Sequence, residues 1–318
     1  MGQPHDPLLG HERDLEKMLV LSAPDKPASE QGLIGKYGLG FKSVFLVCDE
    51  PLACSGSLGF RVLGGIYPES LAADEARVLV ERFAQMTGRP LSERNGTVLE
   101  LPLRDGQALT FLDRFLDLLP MALAFTRRVR RCSVRVREEL EVCWGGQVPV
   151  RGVAGVSVGL LDGSQLFRQQ RVLVFDLGER RRLLIGLNPD GLCRLHDAVP
   201  TVWVTAPTRI ECGVGFALNA PFDLDVGRTQ LQREEAHHLS LADELGAELG
   251  RCLVALYQVR WEVVRPALGL RAELTWEQFW GSVWARFGTE FHARRRESDD
   301  LVLRLLQRAR TDRAGQWR

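Results

Sequence analysis

The stretch Ile34-Gly35-Lys36-Tyr37-Gly38-Leu39-Gly40-Phe41-Lys42-Ser43 places three glycines within six residues. Glycine allows positive φ angles and lets a ligand approach backbone N–H groups closely. The residues that follow, 42–47, are predicted to form a helix. A glycine loop that leads into a helix attracts anions, because the free N–H groups and the helix dipole both favour negative charge. The stretch therefore indicates a phosphate-binding loop, and a glycine turn that only packs closely is the alternative.

Two common phosphate motifs are excluded by the spacing. The P-loop requires a lysine directly after its last glycine, and Phe41 occupies that position after Gly40. The dinucleotide-binding turn requires a third glycine three residues after Gly40, where Ser43 stands. That turn also requires a strand before the loop, and residues 20–34 have a poor strand pattern.

The stretch resembles the glycine motif at the end of the nucleotide lid in the GHKL superfamily, which contains gyrase, the ninety-kilodalton heat-shock chaperone, histidine kinases and MutL. It is most similar to the chaperone-like branch that includes the N-terminal domains of sacsin. The next segments, Asp49–Gly56 and Phe60–Val62, are similar to the strands that follow in that branch. The resemblance implies that this loop holds the triphosphate of ATP through its backbone N–H groups, with two lysines as charge partners. The implied residues are Gly35, Lys36, Gly38, Leu39, Gly40, Phe41, Lys42 and Ser43.

Two further segments are similar to GHKL motifs and follow in the family's order. Asn95–Leu101 resembles the Gly-Thr motif, which implies that Thr97 binds the adenine end; a plain hairpin start is the alternative. Phe216–Leu231 resembles the middle-domain catalytic loop, which implies a site containing Asn219, with Arg228 reaching the γ-phosphate. A fixed cation there stabilises the charge that develops during phosphoryl transfer. A surface arginine in a loop is the alternative.

Two motifs of the family are not found. One is a helix whose Asn holds Mg²⁺ and whose Glu activates water, and the other is an Asp-x-Gly-x-Gly that binds adenine. The 34 residues before Gly35 contain no Asn and no Asp-x-Gly. The family implies ATP and Mg²⁺ as cofactors, but no Mg²⁺ ligand is identified, and we expect ATP binding to be weak or absent. Two functions stay open: an ATP-binding, chaperone-like ATPase module, and a non-catalytic interaction or scaffold protein.

Composition limits the partners of the 318-residue chain. Basic and acidic residues balance at 41 each, so net charge gives no reason to expect nucleic acid or a membrane surface. A basic cluster at 127–137 is followed directly by glutamates and is interpreted as a solvated face. The first twenty residues carry several charges and no apolar core, so we do not expect them to be a signal peptide. The sequence also has no apolar run of about 20 residues and no Cys-x-x-Cys pair, which favours a cytoplasmic location. The predicted partners are a nucleotide and a protein client or a second copy of the chain.

Hydrophobic patterning predicts an α/β fold in three parts. For residues 1–126, the resemblance implies an incomplete GHKL-type α/β sandwich. Residues 127–232 carry short β-like segments between turns, and residues 233–318 are predicted to be helical. Within the last part, the aromatic residues between Trp276 and Phe291 are predicted to pack in the core, and the pair His237-His238 is predicted to lie on the surface.

Overall fold

The computed structural model describes residues 44–45, 47–55, 58–65, 67–87, 97–104, 108–126, 129, 131–135, 139–178, 181–210, 212–225, 230–231, 235–288 and 299–311. Contacts within the chain divide it into two units, Met1–Asp113 and Arg114–Arg318. Both units contain helices and sheets, which confirms the predicted α/β class. The predicted domain boundaries at 126 and 232 stay predictions.

The first unit contains a four-stranded antiparallel sheet. Its strands are β1 (Leu52–Ser55), β2 (Leu58–Leu63), β3 (Tyr67–Ser70) and β4 (Thr97–Glu100), in the order β3-β2-β1-β4. Helix α1 (Ala73–Thr87) covers one face, where a buried cluster contains Cys54, Leu79 and Val98. The opposite face carries a second cluster of Ala53, Phe60 and Val62, against which Phe45 packs. We call this second face the Phe45 face.

The second unit contains an eight-stranded mixed sheet, a two-stranded hairpin and a helical layer. Helix α2 (Ala108–Phe125) begins before the boundary between the units and ends beyond it. The hairpin pairs β5 with β6, and the large sheet runs β13-β12-β14-β10-β9-β8-β7, with β11 paired to β10. The strands are β5 (Arg131–Arg135), β6 (Glu139–Cys143), β7 (Gly145–Pro149), β8 (Val156–Leu161), β9 (Gln170–Asp176), β10 (Arg182–Asn188), β11 (Gly191–Cys193), β12 (Val202–Val204), β13 (Ala206–Pro207) and β14 (Phe216–Asn219). The later helices are α3 (Glu235–Gln258), α4 (Trp261–Ala267), α5 (Trp276–Gly288) and α6 (Asp299–Thr311).

The large sheet is buried on both faces, which explains the nearly continuous apolar runs of its central strands. On β9, Leu173 and Phe175 belong to the same cluster as the buried residues of α3, α5 and α6. The alternate residues Val172 and Val174 belong to a cluster with the C-terminal half of α2 and with Trp144. Successive side chains of a strand point to opposite faces, so α2 and the later helices cover opposite sides of the sheet.

The aromatic residues of α5 confirm the prediction that this stripe is core, as far as the helix is described. Phe279, Trp280, Val283 and Phe287 are buried in the cluster that α5 shares with α3 and the sheet. Trp280 also lies against Tyr257 of α3, with 5.1 Å between the ring centroids. Aromatic packing of this kind fixes α5 on α3.

Candidate nucleotide site

The glycine motif itself, Gly35–Ser43, lies outside the described residues, and the description resumes at its end. Val44 and Phe45 begin a helical turn in which the N–H groups of Val47 and Cys48 donate to the carbonyl of Val44, at 3.0 and 2.9 Å. This turn is the described end of the helix predicted over 42–47. Because the Phe45 side chain packs on the Phe45 face of the first sheet, the residues directly after the glycine motif contact that face.

Thr97 lies on the same face of that sheet. It opens β4 and pairs in register with Ser55 of β1, just as Leu99 pairs with Ala53 two residues further along. Alternate residues of a strand share a face, so Ser55 and Thr97 share the face of Ala53. The two hydroxyl oxygens are 3.0 Å apart, and either can donate. Ser55 is buried whereas Thr97 is exposed, so a ligand can reach the Thr97 side of the pair.

The segment that follows β4 anchors the chain that leaves the glycine motif. Cys48 forms an isolated bridge with Leu103, and the Arg104 N–H donates to the carbonyl of Val47 at 2.9 Å. Arg104 Nε also donates to Asp49 Oδ1 at 2.8 Å, and this hydrogen bond lowers the pKa of the Asp49 carboxyl. Leu103 lies three residues beyond the end of β4, whereas Thr97 opens that strand. The anchor therefore follows β4 in the chain, and the candidate adenine contact is at the beginning of β4.

Asn219, in the second unit, is buried at the end of β14. Its Oδ1 accepts a hydrogen bond of 2.6 Å from the N–H of Thr205, in the turn between β12 and β13. Thr205 has a φ of 62°, which is a conformation that residues other than glycine rarely adopt. The Asn219 side chain thus stabilises a strained turn. This structural role engages its carbonyl oxygen in a hydrogen bond within the fold.

Arg228 lies outside the described residues, but the base of its loop is described. The Asp225 N–H donates to the Gln230 carbonyl at 2.9 Å, and the Gln230 N–H donates to Asp225 Oδ1 at 3.1 Å. Leu224 and Leu231 add an antiparallel bridge. The loop therefore leaves and re-enters the fold through a hydrogen-bonded base. Thr97 belongs to the first unit and this loop to the second.

The prediction that His237 and His238 both lie on the surface is wrong for His238. His238 is 4% exposed, and its ring centroid lies 6.0 Å from that of Phe222 in the loop after β14. His237 is exposed, with Nε2 3.8 Å from Asp223 Oδ2. Consecutive helical residues point about 100° apart, so one histidine of the pair can face inward while the other faces solvent.

Sequence reasoning missed Arg182, which lies beside Asn219 in the large sheet. Arg182 of β10 pairs in register with Asp176 on one side and Asn219 on the other. Its Nε donates to Asp176 Oδ1, and its Nη1 donates to the carbonyl of Ala124 near the end of α2, both at 2.8 Å. A cation is favourable at a helix C-terminus. The sequence feature that could have indicated Arg182 is its position as the first residue of an otherwise largely apolar strand.

The described residues contain no group of three or more His, Cys, Asp or Glu side chains that could hold a metal ion, so they identify no Mg²⁺ ligands. None of the described helices is both long enough and apolar enough to cross a bilayer. Comparisons of this chain with family models, with curated proteins and with solved structures found no match.

Proposed function

We propose that the chain is an ATP-binding, chaperone-like GHKL ATPase module of the sacsin type, or a fragment of one. In this proposal Gly35–Ser43 hold the triphosphate, Thr97 binds the adenine end and Arg228 senses the γ-phosphate. The observation that carries the proposal is that Phe45, two residues after the glycine motif, packs on the sheet face that also bears Thr97. The three similar segments also follow one another in the order that the family has.

The proposed groups match the chemistry of a nucleoside triphosphate. Backbone N–H groups of a glycine loop bind phosphate oxygens without requiring a buried cation. A hydroxyl such as that of Thr97 can both donate to and accept from the edge of a base. The Mg²⁺ that the family uses is assigned no ligand and no step, because the described residues do not supply a matching set.

Calorimetry of the full chain with ATP, with and without Mg²⁺, tests the proposal. We expect weak binding that is lost in Gly40→Val, because a side chain there blocks approach to the N–H groups, and that is weakened further in Arg228→Ala. Gly281→Val is the matched glycine control, since no atom lies within 4 Å of the position a Cβ would take. Arg209→Ala is the matched control for an exposed arginine. Absence of ATP binding by the intact chain would rule the proposal out.

A non-catalytic interaction or scaffold protein is the second candidate, and exposed apolar side chains favour it. In the first unit Tyr67, Met86 and Leu103 are 63%, 55% and 53% exposed. Exposed apolar side chains can take part in protein contacts, and the partner in this candidate is a client or a second copy of the chain. ATP binding without phosphate release, together with sedimentation as a dimer that Leu103→Ser returns to monomer, would support this candidate over the ATPase.

A further inference from the structure

We propose that the groove between α3 and α6 binds the same groove of a second copy of the chain and so forms a symmetric dimer. The groove opens to solvent in the second unit and has a volume of about 910 Å³. Leu239 and Ala247 of α3 and Leu303 of α6 line it, and all three side chains are partly exposed. Apolar side chains in a surface groove favour contact with another protein surface. This interface does not depend on nucleotide binding.

The two walls of the groove carry opposite charges. Asp243 and Glu244 belong to the α3 wall, and Arg304 and Arg308 belong to the α6 wall. Arg304 Nε donates across the groove to Asp243 Oδ1 at 2.8 Å, which fixes the distance between the walls. Glu244 and Arg308 are exposed, one on each wall. An acidic wall beside a basic wall is complementary to itself, so a second copy fits the groove better than a partner of uniform charge.

The direction of the two helices selects one arrangement of the copies. Asp243 contacts Arg304, and Gly250 lies against Ala309, so α3 and α6 run in the same direction. A two-fold axis parallel to the helices places α3 of each copy opposite α6 of the other, whereas an axis that crosses the helices places α3 opposite α3. Only the first arrangement brings each acidic wall against a basic wall.

In this arrangement Glu244 of each copy faces Arg308 of the other, and sedimentation equilibrium of the full chain tests the pairing. We expect the intact chain to form dimers. Glu244→Arg and Arg308→Glu, each alone, should raise the dimer dissociation constant about 10-fold, because each replaces an attraction with a repulsion and appears twice in a symmetric dimer. Glu277→Arg, at an exposed position of α5, is the matched charge reversal and should leave the constant unchanged.

Mixing the two single variants separates the proposed contact from damage within one chain. In a heterodimer of Glu244→Arg with Arg308→Glu, both facing pairs again carry unlike charges, so we expect an equimolar mixture to dimerise like the intact chain. Arg181→Ala removes the partner that Glu244 has within its own chain, at 2.8 Å, and should leave the dimer intact. An intact chain that stays monomeric even at millimolar concentration, or a mixture that stays dissociated, would overturn the proposal. A dimer that Leu103→Ser dissociates and both groove variants leave intact would also overturn it, because the contact would then lie in the first unit.

Discussion

At the scale of single residues, Gly159 of β8 is required by its contact with one tryptophan. A Cβ at this position would lie 2.8 Å from Cζ2 of the buried Trp144 ring, which is closer than side-chain carbons pack. We expect Gly159→Ala to lower the free energy of unfolding by about 1–3 kcal/mol, because the ring must move in a filled core. Gly146→Ala on β7, with no atom within 4 Å of its Cβ position, is the control. Equal midpoints in urea unfolding would contradict the prediction.

Through Cys252 of α3, the free energy of unfolding is expected to vary with pH in the alkaline range. Burial, reinforced by the charge of Asp176, raises the pKa of its thiol from 9.0 to about 11. The pKa of this thiol is higher in the folded protein than in the unfolded chain. The stabilisation that the protonated thiol contributes is therefore complete below pH 9 and is lost as the pH rises through 11. Two pKa units correspond to about 2–3 kcal/mol. We expect Cys252→Ser to flatten the loss of stability between these pH values in denaturant titrations, and parallel curves for the two proteins would refute it.

At the scale of elements, the contact between α3 and α6 depends on two glycines. A Cβ on Gly246 would meet the carbonyl oxygen of Leu305 and lie 2.7 Å from Cβ of Arg308, and one on Gly250 would lie 2.8 Å from the carbonyl oxygen of Ala309. Backbone atoms of a packed helix cannot move aside as a flexible side chain can. The small residues therefore allow the two helices to approach closely.

Replacing a helical glycine by alanine normally stabilises a protein by about 0.5–1 kcal/mol, and the contact with α6 should reverse that sign. We expect Gly246→Ala to lower the melting temperature and to increase proteolysis within α6. Gly281→Ala on α5, where no atom lies within 4 Å of the Cβ position, should raise it. A gain in stability for both variants would show that α6 is not held closely against Gly246.

Elements with long, regular apolar patterns could be predicted from the sequence, and short or exposed ones could not. The pattern over 182–188 predicts a strand that the structure places at Arg182–Asn188. Helix α4 lies within residues 233–318, which are predicted to be helical, but its own bounds are not predicted because it has seven residues and contains Pro266. Strand β3 was missed because all four residues are exposed, which removes the alternation. The Ser55–Thr97 pair was also missed, since register between strands 42 residues apart is not visible locally.

At the scale of the whole molecule, the two units have cores of very different size. Among the described residues, the sheet of the first unit is held by two clusters of three buried residues each. The large sheet of the second unit is buried on both faces by extensive clusters. Local opening is easier where fewer apolar contacts are buried. We therefore expect backbone amides of β1 and β2 to exchange with deuterium faster than those of β9 and β10, as measured by mass spectrometry of peptides.

Nucleotide binding should change this exchange pattern locally. A ligand at 100 times its dissociation constant stabilises the folded state by about 2.7 kcal/mol, and this energy slows only those openings that break the site. If the proposed function holds, ATP should protect peptides that contain Ser55 and Thr97 and the loop 220–231, while peptides of α6 keep their rates. Arg228→Ala should remove the protection of the loop and retain that of β4, because the arginine is proposed to contact only the γ-phosphate. Uniform protection of both units by ATP would instead indicate general stabilisation and would argue against the proposed site.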